Sequence, residues 1–319
     1  MYPLVSVIMP AYNAEKYIGQ AIESILNQSY RDLELVIIED CSQDGTLDII
    51  EEYVKRDSRI KLLVNDCNRG ISYSTNKGID FSKGKYIALL DDDDIAALDR
   101  IRLQVDYMEN NIQIDVLGGR SRNIDAYGKV IGASVAPRNN PKLIKAILHF
   151  RCMDFRNGTA MFRRSFIEKN GLRYQEDCYG MQDYKFYIDC SKVGQITTID
   201  EILLYYRKHE NNETLNRMRN FEEARKRKYA EFQRESLQRS GFCLKENNIK
   251  IINAVITEKE ERPATKEEIL LLYDAFKEIM HQAEMMHIDY YKELDLCCRQ
   301  LMAGKIEKMI DFKNDGIEI

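Results

Sequence analysis

The first hundred residues switch repeatedly between two hydrophobic periods, and this limits the possible folds more than any other feature. Leu4-Val5-Ser6-Val7-Ile8-Met9 is a near-continuous apolar run ended by Pro10, the pattern of a strand buried on both faces. Asn13 is placed to cap a helix whose inner face is Ile18, Ala21, Ile22, Ile25 and Leu26, spaced by three and four. Leu33 to Ile38 reads as a second strand, and a helix opening near Gly45-Thr46 turns Leu47, Ile50 and Val54 inward. Ile60 to Val64, a short helix over Ser72 to Ile79, and Tyr86 to Leu90 complete the series. A β-α-β-α-β-α-β order implies a parallel sheet with right-handed crossovers and helices on both faces. Ligands of such sheets bind beyond the carboxyl ends of the strands. Four loops therefore matter most: Pro10 to Asn13, Glu39 to Ser42, Asn65 to Gly70, and Asp91 to Asp94.

Several function classes are disfavoured. No GxGxxG follows the first strand and no GxxxxGKS/T occurs, so neither a nicotinamide dehydrogenase nor a P-loop enzyme is supported. The 47 basic and 52 acidic side chains give a net charge of −5, which argues against a nucleic-acid partner held by overall basicity. The longest apolar runs fall far short of the ~20 residues that span a bilayer. Met1-Tyr2-Pro3-Leu4 lacks the basic segment and apolar core of a secretion signal. The eight cysteines form no CxxC pair and read as buried free thiols of a reducing cytoplasm. The four histidines show no HExxH spacing, so zinc chemistry is not expected.

What the strand ends carry is carboxylate. Asp40 and Asp44 follow one strand, and Asp91-Asp92-Asp93-Asp94 follow another. Four adjacent ionised aspartates repel one another, and a hard divalent cation bound by oxygen relieves that repulsion. In an extended segment alternate residues point to one side, so Asp91 and Asp93 are expected to face one ligand while Asp92 and Asp94 do not. In isolation the run reads equally as a solvated acidic turn capping a helix near Ile95. Its position directly after a buried strand favours metal.

The segments Val5 to Asn13, Val36 to Thr46, Asn68-Arg69-Gly70-Ile71-Ser72 and Tyr86 to Asp94 closely resemble family 2 glycosyltransferases, and the likeness runs from about Leu4 to about His209. The resemblance implies the GT-A fold, an α/β architecture with a Rossmann-like, mostly parallel sheet flanked by helices. It also implies nucleotide-diphospho-sugar donors and inversion at the sugar. The chain would then divide into a catalytic domain over 1–215 and a C-terminal helical extension over 216–319. Within the first, 1–94 would be the nucleotide-binding half and 95–215 the acceptor half. Pro10, Ala11 and Tyr12 would form the floor and stacking wall of the base, with stacking contributing ~1–3 kcal/mol. Asp40 would accept a hydrogen bond from the base, and Arg69 would lie along the nucleotide, with Asn68 and Gly70 shaping the turn. Asp91 would reach the ribose or the metal shell, and Asp92, which stands where the family has a small residue, would join the nucleotide-sugar-binding set. Asp93 would hold Mn²⁺ or Mg²⁺ against the diphosphate. In Tyr206-Arg207-Lys208-His209, a segment that in some relatives meets the diphosphate or metal, His209 is a further metal-ligand candidate beside its reading as a surface histidine.

A sugar hydroxyl is too weak an acid to ionise at pH 7, so transfer onto it needs a general base. The resemblance assigns that role to Asp183, in Tyr179-Gly180-Met181-Gln182-Asp183, where Gln182 replaces the family's usual glutamate. Asn157 to Arg164 resembles the acceptor-side strand, with Asp154 or Arg156 beside acceptor or phosphate. A sugar-nucleotide pyrophosphorylase would carry a glycine-rich, basic loop after the first strand, and Pro10 to Glu15 has neither glycine nor arginine. A sugar-nucleotide-binding scaffold whose catalysis has lapsed is the other alternative; Asp40, Asp91, Asp93 and Asp183 argue against it.

Beyond about Asn216 only pattern remains. Arg217 to Gln238 reads as a basic amphipathic helix with Met218, Phe221, Tyr229 and Phe232 on its apolar side. Such a helix can sit on anionic lipid at the inner face of a membrane, or present a solvated face and pack one stripe. Glu258 to Arg262 reads as a charged linker. Thr265 with Glu268 forms a capping box before a stripe of Ile269, Leu272, Tyr273, Phe276, Ile279, Met280 and Ala283, either core or an oligomer contact. The expectation is a cytoplasmic transferase moving a sugar from a UDP-linked donor to a saccharide or lipid-linked saccharide, in surface polysaccharide or glycan assembly.

Overall fold

The computed structural model describes residues 2–132, 139–152, 155–210, 212, 221–257 and 264–314. Strand β1 (Val5–Ala11) is almost wholly buried and runs through Pro10 instead of stopping before it. The reason is positional. Ile8 O accepts from Leu90 N on one side, while Ala11 O accepts from Asp40 N on the other. Backbone groups alternate sides along a strand, so Pro10 turns its missing N–H toward β4 (Tyr86–Leu89), whose pairing has already ended at Ile8↔Leu89.

Helix α1 (Ile18–Leu26) buries Ile18, Ala21, Ile22 and Ile25, as its spacing predicts, yet Asn13 does not cap it. Asn13 sits at φ 51°. It donates its N–H to Ser42 Oγ and accepts from Gln43 N, so it ties the first loop to the second. Strand β2 (Leu33–Glu39), helix α2 (Thr46–Arg56), strand β3 (Ile60–Val64) and helix α3 (Ile71–Phe81) follow. The register Ala11↔Glu39 and Glu39↔Val64 brings the carboxyl ends of the first three strands level, which gathers their loops at one edge.

The remaining strands are β5 (Ile95–Ala96), β6 (Val116–Ile124), β7 (Val130–Gly132), β8 (Met161–Arg163) and β9 (Ile196–Arg207), in a sheet ordered β3-β2-β1-β4-β8-β6-β9-β5 with β7 on β6. The first four strands pair in parallel, as expected. The later half is mixed, because β8 runs antiparallel to β4 and β6 while β9 runs parallel to β6. Helices α4 (Arg100–Asn110) and α6 (Arg164–Lys169) accompany this sheet, and the strand at 95–96 replaces the helix start expected there.

The chain forms two compact units. The first comprises Met1–Asn139, Asp154–Asp177 and Val193–Leu215, and holds the whole sheet. The second comprises Asn140–Met153, Cys178–Lys192 and Asn216–Ile319, so two segments from within 95–215 pack among the C-terminal helices. They carry α5 (Pro141–Leu148) and most of α7 (Gln182–Val193). Among the described residues this unit also holds α8 (Glu222–Arg239), α9 (Glu246–Thr257), α10 (Lys266–Met285) and α11 (Tyr291–Asn314).

The Thr265–Glu268 capping box opens α10, with both reciprocal bonds present. Ile269, Leu272, Phe276, Ile279 and Ala283 are buried as the stripe requires, but Tyr273 is half exposed. Each buried Ile, Leu or Phe side chain contributes about 1.5–3 kcal/mol. On α8 four basic side chains face acidic partners: Lys226 pairs with Glu222, Lys228 with Glu231, Arg234 with Glu246, and Arg239 with Glu235 and Asp189. Much of its positive charge is therefore neutralised within the unit. Arg217, Met218 and the Glu258–Arg262 linker lie outside the described residues. Among the described residues no helix is long and apolar enough to cross a membrane. Four cysteines, Cys178, Cys190, Cys297 and Cys298, are buried as expected, whereas Cys67 and Cys243 are exposed.

Candidate active site

The loop after β1 places Ala11 inside and leaves Tyr12 43% exposed at the sheet edge. Tyr12 N donates to Asp92 Oδ2 at 2.9 Å, so the aspartate standing where the family has a small residue secures this loop. After β2, the Asp40 carboxylate is buried and accepts three N–H groups. Asn65 Nδ2 (2.6 Å) and Arg69 N (2.8 Å) reach Oδ1, and Gly70 N (2.8 Å) reaches Oδ2. Asp40 thereby folds the β3–α3 loop around itself, and Gly70 completes the turn at φ 85°, where a Cβ would be strained. Arg69 is left on the surface with its guanidinium 4.5 Å from the Tyr73 ring centroid.

Asp91 to Asp94 are not extended. Asp94 N donates to Asp91 O at 3.3 Å, which makes the run a turn and cancels the expected alternation. Asp92 faces Tyr12. Asp94 is fully buried, with Oδ1 accepting Arg207 N at 2.8 Å and no hydrogen bond to Oδ2 among the described residues. Asp91 Oδ2 and Asp94 Oδ2 both approach Gly158, each 3.5 Å from where a Cβ would stand. Loss of water, then repulsion from Asp93, pushes Asp91 up to about 7, and the same causes raise Asp92 and Asp94 well above the usual carboxylate range. Arg100, wholly buried and bonded to Leu89 O, supplies opposing positive charge beside Asp91 and Asp94. Desolvation lowers its own pKa to about 10.

Asp93 meets His209. Nε2 of the imidazole lies 2.8 Å from Asp93 Oδ2, and Asn212 Nδ2 donates to the same oxygen at 3.1 Å. Asn212 Oδ1 in turn accepts His209 N at 2.8 Å, so the strand end curls back on itself. The Tyr17 ring packs against the imidazole with centroids 4.9 Å apart. Two neighbouring ligands of a cation with ~2.1 Å bonds stand about 3 Å apart, so this oxygen and nitrogen are spaced to share one. Among the described residues no three His, Cys, Asp or Glu side chains form a metal-binding group. A cation here would need further ligands from substrate or water, the habit of Mg²⁺ with phosphates.

Arg156 lies with its guanidinium 4.0 Å from the Tyr206 ring centroid, near Asp91 and Asp94. Asp154 lies outside the described residues. Asp183 belongs to the second unit, in the first turn of α7, whose Tyr187 and Ile188 are buried as the helix pattern expects.

Residues 6–171 match the family model described as "Glycosyl transferase family 2". The chain belongs to glycosyl transferase family 2. An uncharacterized glycosyltransferase of Haemophilus influenzae is 37% identical over 217 residues, covering 66% of this chain and 67% of that one. At the level of fold, Staphylococcus aureus TarS 1–349 in complex with UDP-GlcNAc is similar, with a TM-score of 0.59, 19% identity, and 95% and 91% of the two chains covered. So is the mannosyltransferase PcManGT of Pyrobaculum calidifontis in complex with GDP-Man and Mn²⁺, with a TM-score of 0.57, 15% identity, and 98% and 88% covered. Both likenesses agree with the GT-A architecture.

In this family 2 glycosyltransferase, two residues around the aspartate turn, Asn212 and Arg100, escaped the sequence reading, as did the burial of Arg207. Asn212 had a local signal, since an amide three residues after His209 can close an Asx-type turn. Arg100 and the burial of Arg207 had none, because neither the partners nor the depth of a long side chain is visible along the chain.

Proposed function

We propose that this glycosyltransferase moves a sugar from a nucleotide-diphospho-sugar, UDP-linked, to a hydroxyl of a saccharide or lipid-linked saccharide, with inversion and with Mn²⁺ or Mg²⁺ at Asp93. The observation that carries the reading is the Asp93–His209 contact at the carboxyl edge of the parallel strands, beside the loop that Asp40 folds. The nucleotide sugars bound by TarS and PcManGT, and the Mn²⁺ of the latter, support it.

Each residue then has a task. Ala11 and Tyr12 receive the base, with Pro10 shaping the strand end below them. Asp40 has about four acceptor sites and uses three on protein N–H groups, which leaves one for a base N–H. Arg69, exposed, offers its donors along the nucleotide. Asp91 addresses the ribose, and Asp92 keeps Tyr12 in place. Asp93 and His209 would hold the cation; when bound, it stabilises the charge that grows on the departing diphosphate. Inversion requires one displacement from the face opposite the leaving group, and Asp183 would take the proton of the attacking hydroxyl.

Calorimetric titration of UDP, with GDP and dTDP as controls, with and without Mn²⁺, tests the reading. Tight, metal-dependent binding of UDP alone is the expected result. No binding of any nucleotide by folded protein would overturn the donor assignment.

A further inference from the structure

Arg207 closes β9 and is fully buried. A guanidinium stripped of water persists only where its N–H groups find acceptors. Here Nε donates to Asp93 O at 2.8 Å and Nη2 to Gln20 Oε1 at 2.8 Å. Nη1 reaches Ala126 O at 3.2 Å and Asp125 O at 3.4 Å, in the turn between β6 and β7. That turn is itself well made, since Asp125 Oδ1 accepts both Tyr127 N and Lys129 N. The guanidinium lies 4.6 Å from the Tyr17 centroid, and the same ring rests on His209. The main chain of Arg207 adds two ties, its N–H to Asp94 Oδ1 and its carbonyl to Asn212 Nδ2. One residue thus touches the backbone of Asp93, the amide that bonds the Asp93 carboxylate, and the ring that backs His209.

We propose that Arg207 is a positioning residue for cation binding: it sets the spacing of Asp93 and His209 and couples that pair to the β6–β7 turn. This rests on the reading of Asp93 and His209 as cation ligands. The resemblance of its segment suggested contact with the diphosphate, but a wholly buried group whose hydrogen bonds run to protein acceptors acts through its neighbours instead. Ligands must be held within roughly 0.5 Å of their working geometry. Removing an outer partner that holds them typically costs about 10–100-fold in metal affinity. Lysine keeps the charge but cannot fork toward Asp93, Gln20 and the turn at once.

The experiment uses the full chain, with UDP titrated in EDTA and in Mn²⁺, and with hydrogen exchange of the ligand-free protein. For Arg207→Lys the expected result is an unchanged UDP affinity in EDTA and a Mn²⁺-dependent gain reduced at least tenfold. Amide exchange should rise together in 91–96 and 124–130. Gln20→Ala trims one hydrogen bond from an exposed residue, spares the fold if Arg207→Lys does not, and should reduce the gain two- to fivefold with the same paired rise in exchange. A merely structural role would lower Tm and leave the metal-dependent gain within twofold of wild type, and that result overturns the proposal. If the wild type itself shows no metal-dependent gain, the reading of Asp93 and His209 as cation ligands fails separately. The exchange data then decide the coupling: a paired rise upholds it, and exchange confined to one segment overturns it.

Discussion

At the end of β2 one carboxylate, Asp40, receives three N–H groups, whereas at the end of β4 four carboxylates meet, among the described residues, three N–H donors (Tyr12 N, Asn212 Nδ2 and Arg207 N) and the His209 ring nitrogen. Both corners lie at the carboxyl edge of the same parallel strands. Asp40 has its charge spread over hydrogen bonds and is spent chiefly on folding a loop. In the aspartate turn, Asp91 and Asp94 instead carry raised pKa values beside the opposing charge of Arg100. A carboxylate satisfied by protein N–H groups organises structure.

The proposed function assigns proton removal to neither corner but to Asp183, and the largest expected effect tests that division. Asp183→Asn should lower kcat by about 10²–10⁴-fold while UDP affinity in Mn²⁺ stays within twofold. Initial rates beside titrations check it, and turnover within tenfold of wild type would withdraw the base role. Asp93→Asn should next erase the metal-dependent part of UDP binding, about 100-fold or 2.7 kcal/mol. Because it relieves crowding, Tm should stay level or rise, which thermal melts would read.

Asp40→Ala should behave in the opposite way. Stranding the amides of Arg69 and Gly70 and the Asn65 side chain should cost about 2–3 kcal/mol in denaturant unfolding. UDP affinity should fall equally with and without Mn²⁺. If Asp40→Ala instead weakened only the metal-dependent part, the contrast between the corners would collapse.

The smallest effect extends the comparison to a group deprived of water in the second unit. His149 is buried between Ser236 Oγ (3.0 Å) and Tyr290 Oη (2.8 Å), and desolvation brings its pKa down to about 3. The unfolded chain, with a pKa near 6.5, binds the proton first as pH falls. Stability from this group is therefore whole above pH 6.5 and drains away between about 6.5 and 3, with about 2 kcal/mol lost at pH 5. Urea unfolding at pH 7 and pH 5 should show that loss in wild type and a smaller one in His149→Gln.

Much of the first unit was legible along the chain. Apolar periodicity located β1 to β4 and α1 to α3 because burial on a sheet or helix face imposes a repeat of two or 3.6 on local residues. The strand-end loops followed from those elements, while the choice of Tyr12, Asp40 and Arg69 within them came from the family resemblance. The Thr265–Glu268 box was equally local. Asn13 misled, because a residue suited to capping a helix suits a left-handed bridge between loops equally well. The expected alternation of Asp91 and Asp93 failed for a related reason: it presumes an extended backbone, and one i-to-i+3 bond abolishes it.

The sequence by itself determined the parallel core, the strand-end loops that share its carboxyl edge and the residue types there, since these rest on short-range periodicity and on chemistry written into single side chains. Only the tertiary structure decided that His209 meets Asp93 across 116 positions, that Asp40 is already bonded three times, and that Arg207 is buried rather than offered to a ligand. It also decided that Asn140–Met153 and Cys178–Lys192, the latter carrying Asp183, pack with the C-terminal helices. Such pairings depend on which distant surfaces exclude water together, and a repeat along the chain carries no record of its partner.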